Sequence, residues 1–269
     1  MSVSLDEIVN DLEAEQAALA RVLVALPDAA WDTESHAPGW SARDHVSHLA
    51  YFDEAAARAI SDPEAFAAEV REAMQAASGL EARYLERGRA MAPAGVLDWW
   101  RTASSALIDA ARTLDPAARV PWFGPAMSAA SFVTARLMET WSHGLDVVDV
   151  VDGDRPDTDR LRHVAYLGVR TRAYSYSVRG KEPPTAPVRV ELTSPSGQTW
   201  LLGEADAADV IRGTATDFCR VVTQRRHVAD TSLEIAGPAA QEWMAIAQAF
   251  AGPPGQGRRP GEFAAEKQP

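Results

Sequence analysis

Residues 139–146 read Glu-Thr-Trp-Ser-His-Gly-Leu-Asp, within a stretch whose apolar spacing is helical. This run constrains the fold because a Glu and a His four residues apart share one helix face. Asp146, three residues past His143, can then steady the imidazole from behind. Glu139 and His143 are side chains of the kind that ligate metal ions. Spacing alone also allows a solvated helix face carrying an incidental histidine, since charged side chains usually sit in water.

A second segment, Gly39-Trp-Ser-Ala-Arg-Asp-His-Val-Ser-His-Leu49, shifts that balance. Ser41 and Asp44 have the spacing of a capping box, so a helix starts there and carries His48 in its second turn, with His45 on the same face. A histidine among Val46, Leu49 and Phe52 can equally be a satisfied core residue. Yet helical bundles build metal sites from inward-facing His and Glu on two helices. Two imidazoles and one carboxylate would leave coordination positions open, which is the catalytic pattern.

These two segments also carry a family resemblance. Trp40, Asp44, His48 and Leu49, followed by Glu139, Trp141, His143, Gly144 and Asp146, resemble the mycothiol-dependent maleylpyruvate isomerase family, a member of the DinB-like superfamily of metal-binding four-helix bundles. Trp122-Phe-Gly-Pro125, Ala135-Arg-Leu-Met-Glu139 and His48-Leu-Ala-Tyr-Phe-Asp53 resemble an actinobacterial branch described as metal-binding. The resemblance implies that His48, Glu139 and His143 ligate a divalent metal, while His45 lies outside that set. It implies mycothiol as cosubstrate, with thiolate addition to an activated double bond or thiol transfer to carbon.

The chain has 269 residues, enough for a large domain or two smaller ones, and it is rich in Ala, which favours helix. Two domains are expected: a bundle over 1–152 and an α+β module over 160–251, with a disordered Gly/Pro-rich tail over 252–269. The fold class is mostly α, and the resemblance implies a DinB-like four-helix bundle followed by a small sterol-carrier-like α+β domain. Neither a leader nor an apolar run of membrane-spanning length is apparent, and a cytoplasmic location is expected. A net charge of −12 argues against nucleic acid as partner. The expected partners are a small substrate and a small thiol, the chain being a monomer or homodimer.

Apolar Leu5, Ile8, Leu12, Leu19, Val22 and Leu26 outline a first helix, ended by Pro27-Asp28. Further helices are expected near 42–60, 94–114 and 128–151, with a helical insert over 63–89 placed to cover the site and a stiff aromatic loop at 121–125. After a polar boundary at 151–158 comes a helix over 161–178 carrying Arg162, Arg170 and Arg172. Alternating Val188, Val190 and Leu192, then Ser196-Gly197, then Trp200 and Leu202 signal a hairpin. Residues 207–226 read as a turn and a helix, 231–235 as a strand and 238–250 as a last helix.

Cys219, the one cysteine, sits in an apolar helical run and reads as a buried, inert thiol. Any sulfur chemistry therefore needs an external thiol. Gln224-Arg-Arg-His227 is the leading clamp for a carboxylated substrate, although an arginine pair at a helix end also serves the helix dipole. By resemblance Arg225 takes the catalytic role; Arg226 and Trp122 are expected to bind the cofactor. Arg136 reads as half of a structural ion pair and Asp53 as an acid at the pocket rim. Trp40, Trp122 and Trp141 either line a pocket or fill core. Zinc leads as the metal, with nickel and iron as alternatives. Two other functions suit the same ligands: a metal-dependent hydrolase needing no thiol, and a non-catalytic metal- and lipid-binding module.

Overall fold

The computed structural model describes residues 3–75, 79–151, 153 and 155–263. It divides into two compact units, Met1–Arg155 and Pro156–Pro269.

The first unit is a helical bundle. Its elements are α1 (Leu5–Ala25), a 3-10 turn (Asp28–Asp32), α2 (Ala42–Ser61), α3 (Pro63–Gln75), α4 (Gly79–Arg89), α5 (Pro93–Arg112), a two-residue pair β1 (Arg119–Val120) and β2 (Met127–Ser128), and α6 (Ala129–Val150). Helix α1 starts at a capping box in which Glu7 N–H donates to Ser4 Oγ and Ser4 N–H to the Glu7 carboxylate. Helices α1, α5, α2 and α6 pack in a ring, each against the two neighbours in that order. Between them lie Leu19, Leu23, Val46, Leu49, Trp100 and Val147, all 1 % exposed or less. Burial of such side chains, about 1.5–3 kcal/mol each, is the main force closing the bundle. The 63–89 insert forms α3 and α4, both packed on α2, and the 121–125 loop caps the β1–β2 pair.

Helix α6 is buried along most of its circumference, although it carries Arg136, Thr140, Ser142, His143 and Asp146. The hydroxyls are quenched locally: Thr140 Oγ1 donates to the Arg136 carbonyl and Ser142 Oγ to that of Met138. Gly144 makes room for Arg155, since a Cβ there would lie 2.0 Å from Arg155 Nη1. The Arg155 guanidinium pairs with buried Glu15 at 2.7 Å and donates to the Trp141 carbonyl. The glycine of the His-Gly-x-Asp run is thus a packing requirement.

The second unit contains α7 (Leu161–Arg170), α8 (Arg172–Ser177), β3 (Val188–Thr193), β4 (Thr199–Gly203), β5 (Asp209–Thr214), α9 (Ala215–Val222), a 3-10 turn (Val228–Asp230), β6 (Glu234–Ala236) and α10 (Pro238–Ile246). The sheet order is β4-β3-β5-β6, with β3 and β5 parallel and the outer pairs antiparallel. The β3–β4 hairpin forms where the alternation placed it, turning at Gly197 with φ +85°. Strand β5 is a correction: 207–226 holds a central strand before its helix. Its apolar residues, Val210 and Ile211, are adjacent rather than alternating, so no period of two announces it. The expected 161–178 helix is interrupted at Thr171, which caps α7.

In the described part of the tail, residues 252–263 lack regular structure and make these contacts: Tyr174 Oη donates to the Gly252 carbonyl, Gly261 N–H to Asp230 Oδ1, and Phe263 lies under the Arg226 guanidinium at 3.6 Å. The rest of the tail, 264–269, lies outside the described residues. No helix among the described residues is long and apolar enough to cross a membrane.

Candidate metal centre

The capping box at Ser41 and Asp44 fixes the start of α2, which sets His45 and His48 on the turns facing α6. From α6 come Glu139 and His143, one turn apart. His48 Nε2 lies 3.5 Å from Glu139 Oε2, and His143 Nε2 lies 3.2 Å from the same oxygen. One ligand atom from each of the three residues falls within 4.8 Å of the others. Donors around an ion at ~2.0–2.1 Å in tetrahedral geometry sit roughly 3.3 Å apart, so the set fits a divalent ion without rearrangement of the helices.

The electrostatics agree. Burial raises the Glu139 carboxyl, but hydrogen bonds with His143 and His48 and their nearby charge outweigh it and hold the group well below the usual carboxylate range. Burial, joined by the proximity of His143, pushes His48 down to about 4 against the opposing pull of Glu139. At neutral pH the cluster therefore offers a carboxylate and, at His48, a neutral imidazole, the forms that ligate metals. The side chains of His48 and Glu139 are 16 % and 20 % exposed, so this face is reachable from outside.

Behind it lies a second, sealed grouping. His143 Nδ1 is 2.9 Å from His45 Nδ1 and 3.4 Å from Asp146 Oδ2, while His45 Nδ1 is 3.5 Å from that oxygen. His45 Nε2 lies 2.8 Å from Ser35 Oγ. His45, His143 and Asp146 also satisfy the distances of a metal site, but the side chains of His45 and Asp146 are each only 1 % exposed. The two groupings share His143 through its opposite nitrogens. A neutral imidazole has one lone pair, so His143 can ligate at the front or at the rear, not at both.

Aromatic rings wall the front face. Trp40 stacks on His143, centroids 6.0 Å apart and planes 14° apart, and also lies near His48 and His45. Phe52 is 4.5 Å and Tyr84 5.4 Å from His48, ring centroid to ring centroid. Tyr84 comes from α4, as does Glu81, which accepts the Trp40 indole N–H at 2.9 Å. The insert therefore does cover this face. Sequence reasoning singled out neither Tyr84 nor Glu81; Tyr84 is the one aromatic residue in the charged α4 segment.

Other expected site residues fall elsewhere. Trp122 is half-buried, stacked on Phe66 and 6.0 Å from Phe52, hence one ring removed from His48. Trp141 is core, 2 % exposed. Asp53 is not at a rim: it is 0 % exposed and takes both Nε and Nη2 of Arg136 on one oxygen, at 3.1 and 2.8 Å. That contact makes Arg136 the structural partner its position suggested.

In the second unit, Arg225 and Arg226 follow the end of α9, and their backbone N–H groups close it on the Arg220 carbonyl. Arg225 Nη1 donates to the Thr223 carbonyl and Arg226 Nη1 to that of Arg225. Both thus sit where the helix dipole favours cations. Cys219 is fully buried, its Sγ 3.6 Å from the Leu161 carbonyl, and burial pushes the thiol well above its ordinary range.

A helical bundle with a His/Glu cluster on two facing helices defines a class, and comparison places the chain within it. Residues 12–148 match the family described as mycothiol maleylpyruvate isomerase N-terminal domain. Two proteins of Mycobacterium tuberculosis, from strains CDC 1551 / Oshkosh and ATCC 25618 / H37Rv, are each 44% identical over 254 residues, covering 93% of this chain and 97% of theirs. Among solved structures, mycothiol-dependent maleylpyruvate isomerase has the same fold, with TM-score 0.57 at 16% identity over 83% of this chain and 90% of that one. A mutant of that enzyme with a histidine replaced by alanine gives TM-score 0.56 at the same identity and coverage. The chain belongs to the mycothiol maleylpyruvate isomerase N-terminal domain family.

Proposed function

We propose that this protein is a thiol-dependent enzyme, an isomerase or transferase, holding a divalent ion, zinc first, on His48, Glu139 and His143. Mycothiol would be the cosubstrate and a small electrophile the substrate. The observation that carries this reading is the convergence of three lone-pair donors on a face that is partly open, while the alternative grouping behind it is sealed. A divalent ion at that face supplies a Lewis-acidic centre that favours the thiolate form of a bound thiol.

The chain's own residues do the rest. Glu139, kept ionised, and His48, kept neutral, stand ready without first losing a proton. Trp40, Phe52 and Tyr84 exclude water from one side of the reacting pair. Asp146 and His45 hold the rear of His143. Thiolate addition to an activated double bond gives a single bond about which the substrate rotates, and elimination returns both the double bond and the thiol, with no net redox change.

The test is turnover of maleylpyruvate and related activated alkenes by the purified protein with and without a small thiol and a chelator. Turnover that needs thiol and disappears on chelation supports the reading. Turnover without thiol would favour a hydrolase and overturn it. Cys219→Ser should leave thiol-dependent turnover intact, with a stability loss of about 1 kcal/mol from placing a hydroxyl in an apolar site. In cobalt-substituted protein, an added thiol should give the same thiolate-to-cobalt absorption band in wild type and Cys219→Ser. A band lost only in the variant would make Cys219 a participant.

A further inference from the structure

His143 Nε2 can offer a lone pair to an ion only if the ring proton is on Nδ1, and that proton then needs an acceptor inside the sealed rear of the site. The nearest one is not the carboxylate. His45 Nδ1 lies 2.9 Å away, Asp146 Oδ2 3.4 Å. For His45 Nδ1 to accept, His45 must carry its own proton on Nε2, which faces Ser35 Oγ at 2.8 Å. Ser35 is built to receive it. Its backbone N–H is tied to the Trp40 carbonyl at 2.8 Å, and its Oγ already accepts the Ala37 N–H at 3.1 Å. A hydroxyl oxygen has two acceptor lone pairs, which leaves one for His45 Nε2–H. The Ser35 proton has the Ala37 carbonyl at 3.5 Å.

Resting on the ion site proposed above, we infer that His45, seated on Ser35, is a positioning residue that sets the ring orientation and tautomer of His143, so that Nε2 faces the ion with its lone pair. The chain runs from His143 Nδ1–H to His45 Nδ1, and from His45 Nε2–H to Ser35 Oγ, which anchors it to the loop before α2. Asp146 adds its charge beside both rings without being the closer acceptor. The contrast with the other imidazole ligand supports this assignment. His48 Nδ1 is buried with no hydrogen-bond partner among the described residues. The front cluster therefore draws its orientation from one backed histidine.

Two measurements on the full-length protein test this. In zinc-loaded wild type, 15N NMR of the histidine rings should find His143 protonated at Nδ1 and His45 protonated at Nε2 and bare at Nδ1. A proton on His45 Nδ1 would overturn the inference whatever the variants do. Zinc affinity, read by competition with a chelating indicator, should fall 10–100-fold in His45→Leu. It should stay within severalfold of wild type in His45→Asn, whose Oδ1 lies near the position of the imidazole Nδ1 and accepts the same proton. Ser35→Ala should give an intermediate loss. Unchanged affinity in His45→Leu, or failure of His45→Asn to restore it while the metal-free protein melts like wild type, would reduce His45 to packing and overturn the inference. His48→Ala separates this from failure of the ion site itself. Affinity lost in His48→Ala but unmoved in His45→Leu removes only the role of His45. Affinity kept in His48→Ala but lost in His45→Leu and Asp146→Asn would put the ion at the rear and remove both.

Discussion

Two polar groupings, one sealed and one partly open, lie on the same pair of helices, α2 and α6, about one turn apart. Asp53 and Arg136 form one; His48, Glu139 and His143 form the other. In the first, one carboxylate oxygen takes two guanidinium N–H groups at 3.1 and 2.8 Å, with the side chains 0 % and 4 % exposed. It is closed to solvent: Asp53 Oδ1 takes both guanidinium N–H groups, and Asp53 Oδ2 is buried with no hydrogen-bond partner among the described residues. In the second, a carboxylate and the Nε2 atoms of two histidines face a common point that is partly reachable. The separating property is what faces each carboxylate. Asp53 meets a guanidinium, a permanent cation that neutralises it in place, whereas Glu139 meets two imidazole nitrogens, which on the reading proposed above leave room for a cation from outside.

That contrast can be broken in order of expected effect. His143→Ala should reduce zinc content, by elemental analysis, to background while the fold persists, because it removes the donor common to both groupings. Zinc retained at wild-type stoichiometry would show the open cluster to be misread. Arg136→Met should do the opposite. It leaves the Asp53 carboxyl buried and unpaired, so denaturant unfolding should show a loss of about 3–5 kcal/mol, with zinc per folded molecule unchanged. Smaller again is Gly144→Ala, in which the new methyl must displace an Arg155 guanidinium held by Glu15 and Trp141. A cost of about 1–3 kcal/mol is expected by the same measurement, again with zinc content preserved.

The open cluster was legible in the sequence because helices repeat: Glu139 and His143 at i, i+4 and His48 after a capping box are local patterns that burial then brings together. The hairpin was legible for the same reason, with a period of two. Asp53 was misplaced because its partner lies 83 positions away and no local spacing reports whether an acid on α2 faces out or meets Arg136. Ser35 and His45 were opaque in a related way, since the contact joins a loop to a helix. Tyr84 was hidden by composition: α4 is strongly charged, and its one ring over His48 follows from how α4 lies on α2, not from any period within it. Strand β5 escaped because a central strand between two partners needs no polar face.

The seating of α4 has a consequence for anyone redesigning this molecule. Gly88 packs against Ser47, the residue before His48, so closely that a Cβ would lie 1.8 Å from Ser47 Oγ. The adjoining Arg87 and Arg89 clip the same end of the helix to Glu54 and to Asp44. The α4 helix is therefore fixed at its C-terminal end, while Glu81 and Tyr84, two turns and one turn earlier, reach the rings around the cluster. On the function proposed above, a combinatorial library aimed at substrate choice should hold Gly88 constant and randomise positions 81 and 84. Those positions reach the rings over His48 and Trp40 without carrying the contact that seats α4 on α2.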